Sequence, residues 1–542
     1  MRVRSPTACA LVILAAVAFG PVLAPPGAAG ADASPGWVVD RVRFEPVASG
    51  GALTVDGSGT YRGAIEVVPA AGGLAVIDDV GLQDYLKGIA EVPPEWPAAA
   101  LQAQAIAART YALYQKATPT DASWRAAGAD ICPTDACQVY AGTAAEQRAG
   151  AERWAAAVDD TTGSVLLYGG QPLRAMYSAS NGGRSVAGGE PYLKSVADPD
   201  DARSPLGHWH WATPLGALAP LLGVAPPLVL TGVARRGAVV VFATKAPDGT
   251  AVQHEVGVDD FRSKVDDAFP APAGLPMALP SSAYTVASDG TSAIFDGRGF
   301  GHGEGMSQYG ALGKAQRGMS AADILAAYYG GIRPSVLPPD QLPATVRVGL
   351  AEGRRSVTVS PERYFTIASG SGAPIGGVEL GRWRVQPAPG GVRLVPPAGR
   401  DEPLSVKAAS VAAAPQPAGA PVVHFDLTAP AVVTVRYVTP TGQPGAVPAQ
   451  VVDAGDVAQP LPPPGSGGDY QVLIEADGGP GRFLSVPLQL RVDGPSRVAV
   501  GTIGAETPTG GGRRGWLAVA VALVVAMGVA TGAAARRPVG ER

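Results

Sequence analysis

The sequence has few charged residues, few aromatic residues and very few cysteines. Charged side chains make up 16% and aromatic side chains 6% of the 542 residues, whereas glycine and proline number 72 and 52. Such a composition is typical of loops, linkers and short strands, and it argues against long helices throughout the chain. The formal net charge of −4 gives no electrostatic indication of a nucleic-acid partner. The length is enough for about two to four domains of roughly 150 residues each.

The scarcity of cysteine limits what the thiols can do. Of the 3 cysteines, Cys9 lies in an apolar run near the N-terminus, which leaves Cys132 and Cys137 as a pair. An even pair in an exported protein favours a disulfide. The alternative is a zinc site, but structural zinc needs about four ligands and the segment around the pair contains no histidine. The sequence predicts no metal site.

The N-terminus has the features of a secretory signal peptide. Basic residues precede an apolar run over residues 8–24, and small residues follow it. We therefore expect a signal peptide over residues 1–33, cleaved between Ala28 and Ala33. The alternative is an uncleaved anchor, but the run is at the short end of the ~20 residues that span a bilayer.

A second apolar run, residues 515–535, lies near the C-terminus and carries no charge. It is long enough to span a membrane, and the arginines in residues 536–542 suit a cytoplasmic tail. Residues 501–514 precede it as a glycine-rich, flexible spacer. We therefore expect an exported type I protein, with its body in the cell-wall or extracellular space and one C-terminal anchor in the cell membrane.

The region between these ends is predicted to hold an α+β domain followed by β modules. Residues 36–336 combine short strand signals, glycine-rich turns and helical stretches. Residues 343–400 carry short alternating runs that predict a small β module. A Pro/Ala linker over 408–421 leads to residues 422–500, whose runs indicate an immunoglobulin-like β-sandwich. The expected fold class is an α+β catalytic domain with short helices and antiparallel strands, then small all-β domains and a C-terminal transmembrane helix.

The most regular helical stretch is Pro97 to Leu113. It is rich in Ala, Leu and Gln, which have high helix propensity, and proline suits a first helical turn. Just before it, Glu91 lies in a short proline-stiffened loop near Trp96. A carboxylate fixed in this way can acquire the raised pKa that a general acid needs. On spacing alone the ordinary alternative is favoured, in which Glu91 and Arg109 are a surface acid and a salt-bridging base.

A family resemblance changes this balance. The pattern Tyr85-Leu86-x-Gly88, Glu91, Trp96-Pro97 and Ala100-Leu101-x-Ala103-Gln104-Ala105-x-Ala107-Ala108-Arg109-Thr110-Tyr111 resembles the core of the stage II sporulation protein D / amidase enhancer family. The cysteine segment at 130–142, the Ser/Gly turn at 175–183 and the glycine-rich loop at 297–311 resemble further segments of that family. The resemblance extends from about Ala52 to Pro334.

This resemblance implies a lytic transglycosylase that cleaves peptidoglycan glycan strands, preferably strands stripped of their peptides. One carboxylic acid is sufficient, because it first protonates the glycosidic oxygen and then, as a carboxylate, deprotonates the sugar's own 6-hydroxyl, which closes a 1,6-anhydro ring. A hydrolase of the paired type needs a second carboxylate at a defined distance, and no motif places Glu95 or Glu304. Glu91 matches the family's catalytic position. Arg109 matches a family arginine that would bind a sugar carboxylate or orient Glu91.

The resemblance also implies the substrate cleft and the partners. The residues expected at the substrate are Gln104, Tyr177, Ser180, Asn181, His302, Gln308 and Tyr309. From the residues alone, a plain turn at 177–183 and a structural role for His302 stay open. The expected partners are glycan strands and the membrane, with no cofactor and no nucleic acid. A second hypothesis is a non-catalytic glycan-binding amidase enhancer that stimulates an N-acetylmuramoyl-L-alanine amidase of the cell wall.

Overall fold

The computed structural model of the protein describes residues 37–413, 421–462, 468–479, 482–492 and 498–499. The expected signal peptide, the expected spacer and tail, and residues 414–420 of the expected linker lie outside these ranges. Everything below concerns the described residues.

The helices are short, with one exception. They are α1 (Leu82–Lys87), α2 (Ala98–Ala117), α3 (Ala122–Ala127), α4 (Thr143–Glu146), α5 (Ala151–Asp160), α6 (Leu215–Leu218), α7 (Val258–Ala268), α8 (Gln308–Gln316) and α9 (Ala321–Tyr328). Short 3-10 turns occur at Pro199–Arg203, Pro220–Leu222 and Pro339–Gln341. The long helix α2 has 20 residues, with Pro97 at its N-cap, and most of its side chains are buried. Its alanine-rich sequence allows neighbouring elements to pack closely on several sides.

Strands from both ends of residues 37–395 form two six-stranded antiparallel sheets. The first sheet has the order Trp37–Val39, Gly391–Val395, Trp383–Ala388, Val357–Pro361, Ala52–Val55, Gly59–Arg62. The second has the order Thr345–Arg354, Gly73–Gly81, Ala64–Ala70, Val42–Pro46, Phe365–Ser369, Pro374–Glu379. The expected module at 343–400 therefore shares both sheets with the start of the region expected at 36–336.

One hydrophobic core joins these sheets to the helices. Phe44 and Phe365 from one sheet, Trp383 from the other, and Leu101 from α2 belong to the same cluster of buried side chains. Strand Val357–Pro361 alternates buried and partly buried residues, as a strand with one face on a core does. Because α2 also packs against α5, α8 and α9, the loop before α2 and the start of α8 are held in fixed positions.

Residues between about 205 and 299 form a module with a hydrophobic core of its own. Its strands are Trp209–Pro214, Val229–Arg236, Val239–Lys245, Ala251–Gly257, Tyr284–Ser288 and Ser292–Gly297. The chain enters this inserted module after strand Tyr177–Ser178 and leaves it before strand Met306–Ser307, and these two strands pair in parallel. The entry and exit segments are therefore brought back beside the main core.

A third core lies in the C-terminal β-sandwich. One sheet contains Val406–Ala413, Pro421–Leu427 and Gly455–Pro460, and the other contains Pro444–Val452, Ala431–Val438, Gly468–Asp477, Phe483–Val492 and Val498–Ala499. This two-sheet arrangement resembles the sandwich expected at 422–500, with one further strand preceding it.

The expected fold class and localisation need a correction. Both included a C-terminal transmembrane helix, yet in the part of the chain that the structure describes no helix is sufficiently long and apolar to cross a membrane. The structure is instead a mixed α/β protein with many small and large sheets. The apolar run at 515–535 lies outside the described residues.

Candidate active site

Glu91 lies in an open groove of about 390 Å³ between the main core and the inserted module. The lining residues are Glu91, Pro93, Trp96, Ala179, Ser204, Pro205, Leu206, Gly274, Pro276, Phe300, Gln308 and Tyr309. Among these described residues Glu91 is the one acidic side chain, and none is a lysine or an arginine. The groove is therefore largely apolar, with a single ionisable carboxyl.

A short backbone pairing holds Glu91 in place. Ile89 forms an isolated antiparallel bridge with Tyr140, and the Ala90 N–H donates to the Val139 carbonyl over 3.1 Å. The Val139 N–H in turn donates to Glu91 Oε1 over 2.6 Å. Residues 137–140 thus pair with the loop that precedes α2 and hold it in place. The Val139 N–H fixes one oxygen of the Glu91 carboxylate.

The surroundings raise the pKa of Glu91 above its ordinary value. Burial is the largest cause, because it removes water from the charged form. The Val139 N–H and the nearby Gln308 side chain oppose the shift, and the negative charge of Asp135 adds to it. Gln308 Nε2 is buried, so this amide acts on the Glu91 carboxyl and not at the exposed surface of the groove. A carboxyl with a raised pKa retains its proton more readily near neutral pH, as a general acid must.

Two buried polar groups fix the residues on either side of Val139. Gln138 is fully buried. It accepts from the Tyr85 hydroxyl over 2.7 Å and donates to the Tyr177 hydroxyl over 2.8 Å. On the other side, the Tyr140 hydroxyl donates to Asp78 Oδ2 over 2.7 Å. Burial raises the pKa of the Tyr85 and Tyr177 hydroxyls, so both keep their protons, and the Val139 N–H cannot easily move away from Glu91.

The predicted disulfide is confirmed, and its second cysteine is the first residue of the segment 137–140. Cys132 and Cys137 are bonded, with a sequence separation of 5, and Gln138 follows the second cysteine. The bridge closes a small loop that carries Asp135, whose side chain is exposed. The disulfide therefore restrains the segment that presents Val139 to Glu91.

Replacement of Gln138 tests this positioning. We expect Gln138→Leu to raise the midpoint of the pH profile of activity, because a displaced Val139 N–H no longer stabilises the Glu91 carboxylate. We also expect a loss of stability of about 1–3 kcal/mol, because the hydroxyls of Tyr85 and Tyr177 lose a partner. Gln115→Leu is the matched control, since Gln115 is also buried and donates to the Tyr111 hydroxyl. An equal movement of the midpoint in both variants would contradict the positioning role.

The first residues of α8 form another part of the groove. The Ser307 side chain caps α8 by accepting from the Gly310 N–H, which brings Gln308 and Tyr309 to the groove. The Tyr309 and Trp96 rings meet edge to face, with centroids 5.3 Å apart. Their exposed parts give the groove aromatic surface, which suits the apolar faces of sugar rings.

Arg109 does not meet Glu91. Its side chain is fully buried, and its guanidinium donates to the Val158 and Ser164 carbonyls and to Gln83 Oε1. Burial lowers the pKa of Arg109 to about 10. The structure therefore does not bring Arg109 to the groove, since its side chain has no exposed surface, and a role at a sugar or at Glu91 stays a prediction. Arg109 fixes the end of α5 against α2.

Ser180 and Asn181 also point away from the groove. Ser180 Oγ donates to Asp201 over 2.7 Å, and Asn181 Nδ2 donates to Asp198 over 2.8 Å. Both aspartates are fully buried, and Ser307 donates to Asp201 as well. The Ser/Gly turn that we expected at the substrate is thus part of an internal network that supports α8, and it is Ala179 of this turn that lines the groove.

The remaining predicted residues lie behind or beside the groove. His302 Nε2 lies 2.9 Å from the Tyr177 carbonyl and its Nδ1 accepts from the Glu304 N–H, which fits a neutral ring that ties the glycine-rich loop to strand Tyr177–Ser178. Gln104 is buried and its side-chain amide has no hydrogen-bond partner. Neither His302 nor Gln104 nor Tyr177 lines the groove. The structure therefore brings Gln308 and Tyr309, but not these residues, to Glu91.

Several groove residues were not predicted. Leu206 and Pro276 come from the inserted module and its connections, where we identified no motif, whereas Phe300 lies in the glycine-rich loop at 297–311 but was not among the residues expected at the substrate. The sequence did offer a signal for Gln138 and Val139, because both follow a cysteine in a segment that resembles the family. Trp96 belonged to the pattern that resembles the family, but it was not among the residues expected at the substrate.

Comparisons with known proteins agree with these features. A profile of the family described as Stage II sporulation protein matches residues 70–168. The chain is 30% identical over 275 residues to Stage II sporulation protein D of Bacillus amyloliquefaciens, a match that covers 47% of this chain and 74% of that protein. It is 30% identical over 278 residues to the protein of the same name in Bacillus subtilis strain 168, covering 48% and 76%. It is 29% identical over 295 residues to Amidase enhancer of Bacillus subtilis strain 168, covering 45% of this chain and 39% of that protein. The profile match contains Glu91, α2 and the disulfide loop.

Proposed function

The chain belongs to the stage II sporulation protein D family, and from this premise we propose that it is a lytic transglycosylase that cleaves peptide-free glycan strands of peptidoglycan. Membership of the family and the similarity to an amidase enhancer support a role in cell-wall remodelling. The observation that carries the finer proposal is Glu91, a largely buried carboxyl with a raised pKa and the single acidic group among the described groove residues.

One carboxyl can perform both halves of this reaction. Protonated Glu91 gives its proton to the glycosidic oxygen, and the bond from that oxygen to C1 of the muramyl residue breaks. The oxygen of the C6 hydroxyl forms a new bond to C1, and its proton passes to the Glu91 carboxylate. No water is consumed, and Glu91 ends the cycle in the protonated form in which it began.

The groove supports this single-acid scheme in two ways. Paired glycosidases need a second carboxylate about 5–10 Å from the first, and neither Glu95 nor Glu304 is among the described groove residues. The Val139 N–H fixes one oxygen of Glu91, and the buried Gln308 amide acts on the same carboxyl. Water-poor, apolar surroundings also keep a carboxylic acid protonated near neutral pH, so that it is available as the general acid.

The proposal is tested by digesting purified glycan strands that carry no peptides. We expect fragments ending in 1,6-anhydro-muramyl residues, identified by mass spectrometry of the digest. If the folded protein releases no such fragments, it is not a lytic transglycosylase.

A second candidate function is the stimulation of a cell-wall amidase, which the similarity to Amidase enhancer favours. In this case the groove would hold a glycan strand without cleaving it. The same digest distinguishes the two functions when an N-acetylmuramoyl-L-alanine amidase is added. Faster peptide release without anhydro ends would support the enhancer.

The activity should depend on pH through Glu91. Because the acid must be protonated to start the reaction, and because burial raises its pKa, activity is expected to be high below that pKa and to fall as the pH rises through it. The initial rate of anhydro-end formation, measured at a series of pH values, shows this fall in activity directly. A midpoint at or below the ordinary value for glutamic acid would show that burial of Glu91 does not govern the reaction.

A further inference from the structure

We propose that a second pocket, on the outer face of one of the six-stranded sheets, binds the phosphate groups of a phosphodiester polymer of the cell wall. The pocket has a volume of about 370 Å³ and is lined by Arg41, Arg43, Arg347 and Glu66 together with small residues. None of its lining residues lines the groove of Glu91. The site is therefore separate from the proposed reaction and does not depend on it.

The strand that begins at Val42 presents two of the arginines on this face. Val42 and Phe44 are fully buried in the core. Because side chains alternate along a strand, Arg41 and Arg43, on either side of Val42, point away from the core. Glu66 lies directly opposite Arg43 on the neighbouring strand. The outer face of the sheet therefore carries charged side chains where its inner face carries core residues.

Glu66 holds two of the guanidinium groups in place. Arg43 Nη1 donates to Glu66 Oε1 over 2.7 Å, and Arg347 donates to both Glu66 oxygens over 3.0 and 2.9 Å. Arg43 Nη1 also donates to Asp79 Oδ2 over 2.6 Å, and Arg347 Nε donates to the Gly128 carbonyl over 2.6 Å. Burial alone would raise the pKa of Glu66, but the bonds from Arg347 and Arg43 outweigh it and lower the pKa. Glu66 therefore stays charged and keeps both guanidinium groups oriented.

Hydrogen-bond donors remain free after these bonds are made. A guanidinium carries five N–H groups, and Arg43 Nη2 makes no hydrogen bond with any described residue. Arg347 uses only one donor on each of its three nitrogens. Arg41 makes no hydrogen bond through its side chain within the described residues, and its one ionic contact there is Asp40 at 3.8 Å. A tetrahedral phosphate offers enough acceptor oxygens for three guanidinium groups, whereas a carboxylate pairs best with a single one.

The nearby acids leave Arg41 as the uncompensated charge of the pocket. Glu66 and Asp79 neutralise Arg43 and Arg347 from behind and are themselves only 10% and 14% exposed. Asp40 is close to Arg41, but its side chain is 60% exposed and does not line the pocket. Exposed pairs of this kind are weak and strongly screened by solvent. An incoming anion can therefore take the place of Asp40 at Arg41.

The shape of the pocket suits a single group on a flexible chain. Gly370 and Gly372 contribute no side chain, and a Cβ atom at Gly372 would meet no atom within 4 Å. Arg43 and Arg347 are recessed, with 29% and 23% of their side chains exposed, whereas Arg41 is 50% exposed. Headgroups confined to the plane of a membrane reach recessed donors less easily than the phosphates of a flexible polymer do. We therefore assign the site to a polymer.

Binding of defined probes to the full chain tests the site. We expect poly(glycerol phosphate) to bind, as measured by calorimetry, with a dissociation constant that rises with salt concentration. Inorganic phosphate should compete with the polymer, and acetate at the same ionic strength should not. Failure of the polymer to bind, or displacement of the polymer by acetate as readily as by phosphate, would overturn the proposal.

Replacement of Arg41 locates the binding. Arg41→Gln should weaken polymer binding about tenfold or more, and Arg41→Lys should retain part of the affinity because it keeps the charge. Arg333→Gln is the matched control, since Arg333 is similarly exposed, pairs with Asp323 and lies outside the pocket. It should leave the affinity unchanged. An equal loss of affinity in Arg41→Gln and Arg333→Gln would show non-specific attraction and would overturn the site.

Two further measurements on Arg41→Gln separate this site from a membrane site and from the groove. Its retention on phosphatidylglycerol vesicles should equal that of the unsubstituted protein, and a clear fall in retention would assign the pocket to lipid headgroups and contradict the polymer. Its rate of anhydro-end formation from phosphate-free strands should also be unchanged, because Arg41 does not line the groove. A fall in this rate would show that the two sites are not separate.

Discussion

The Glu91→Gln variant is expected to form 1,6-anhydro ends about 10²- to 10⁴-fold more slowly than the unsubstituted protein. Glutamine keeps the shape of the side chain and can still accept from the Val139 N–H, which now donates to Glu91 Oε1. It can neither give a proton to the glycosidic oxygen nor take one from the 6-hydroxyl. The initial rate of anhydro-end formation from peptide-free strands, measured by mass spectrometry, gives the ratio.

The matched control for this substitution is Glu95→Gln. Glu95 lies in the same loop before α2 but is exposed and does not line the groove. We expect its replacement to leave the rate unchanged. If Glu91→Gln retained full activity, or if both variants lost activity equally, Glu91 would not be the acid of the reaction.

The Lys314→Met variant is expected to lose about 3 kcal/mol of unfolding free energy. Lys314 of α8 is buried and pairs with Asp198, which has no exposed surface. Removal of the ammonium group leaves a buried carboxylate with only the neutral donors Asn181 and Tyr328. Since α8 begins at Gln308, activity should fall together with stability. Chemical denaturation followed by tryptophan fluorescence measures the change.

Two further variants separate the buried charge from a general effect on α8. Arg317→Met removes an exposed cation from the end of α8 that pairs with Asp200, and it should cost less than about 1 kcal/mol. The double variant Lys314→Met, Asp198→Asn should recover part of the loss, because the uncompensated charge is gone. Equal destabilisation by Lys314→Met and Arg317→Met would contradict the account of the buried network.

Local sequence patterns predicted the helix and the loop at Glu91 well. The alanine-rich run after Pro97 has a high helix propensity, and the structure begins α2 at Ala98. The prolines that follow Glu91 limit the loop to few conformations, so the approximate place of the carboxyl could be inferred. What the pattern could not show is that Val139 fixes the carboxylate, because this bond joins residues that lie 48 positions apart.

The differences between the predicted site residues and the residues that line the groove have a common physical origin. Arg109 and Ser180 were both assigned to the ligand, but their partners inside the protein were invisible in the local sequence. Because α2 is buried over most of its surface, its pattern does not distinguish a side that faces the groove from one that faces α5. For Ser180 the decisive partner is Asp201, which is in a separate 3-10 turn.

The pairing of strands in the sheets shows the same limit of local sequence patterns, here for partners that are far apart in the chain. Alternating runs at 343–400, among them Ser356 to Val359, were recognised as strands, but alternation does not specify the partner strand. Val359 pairs with Val55, about 300 residues earlier, and the prediction of a separate module had no means of detecting such a long-range pairing. The inserted module was also missed as a unit, since its boundaries carry no linker composition.

The most direct test of the central claim, that Glu91 acts alone as acid and base, is digestion of peptide-free strands in ¹⁸O-labelled water. If the C6 hydroxyl of the sugar is the nucleophile, the new ends are 1,6-anhydro residues and carry no ¹⁸O. If a water molecule is the nucleophile, the new ends are reducing sugars that carry one ¹⁸O each. Unlabelled anhydro ends that disappear in Glu91→Gln are the result that we predict, and labelled reducing ends would contradict the account.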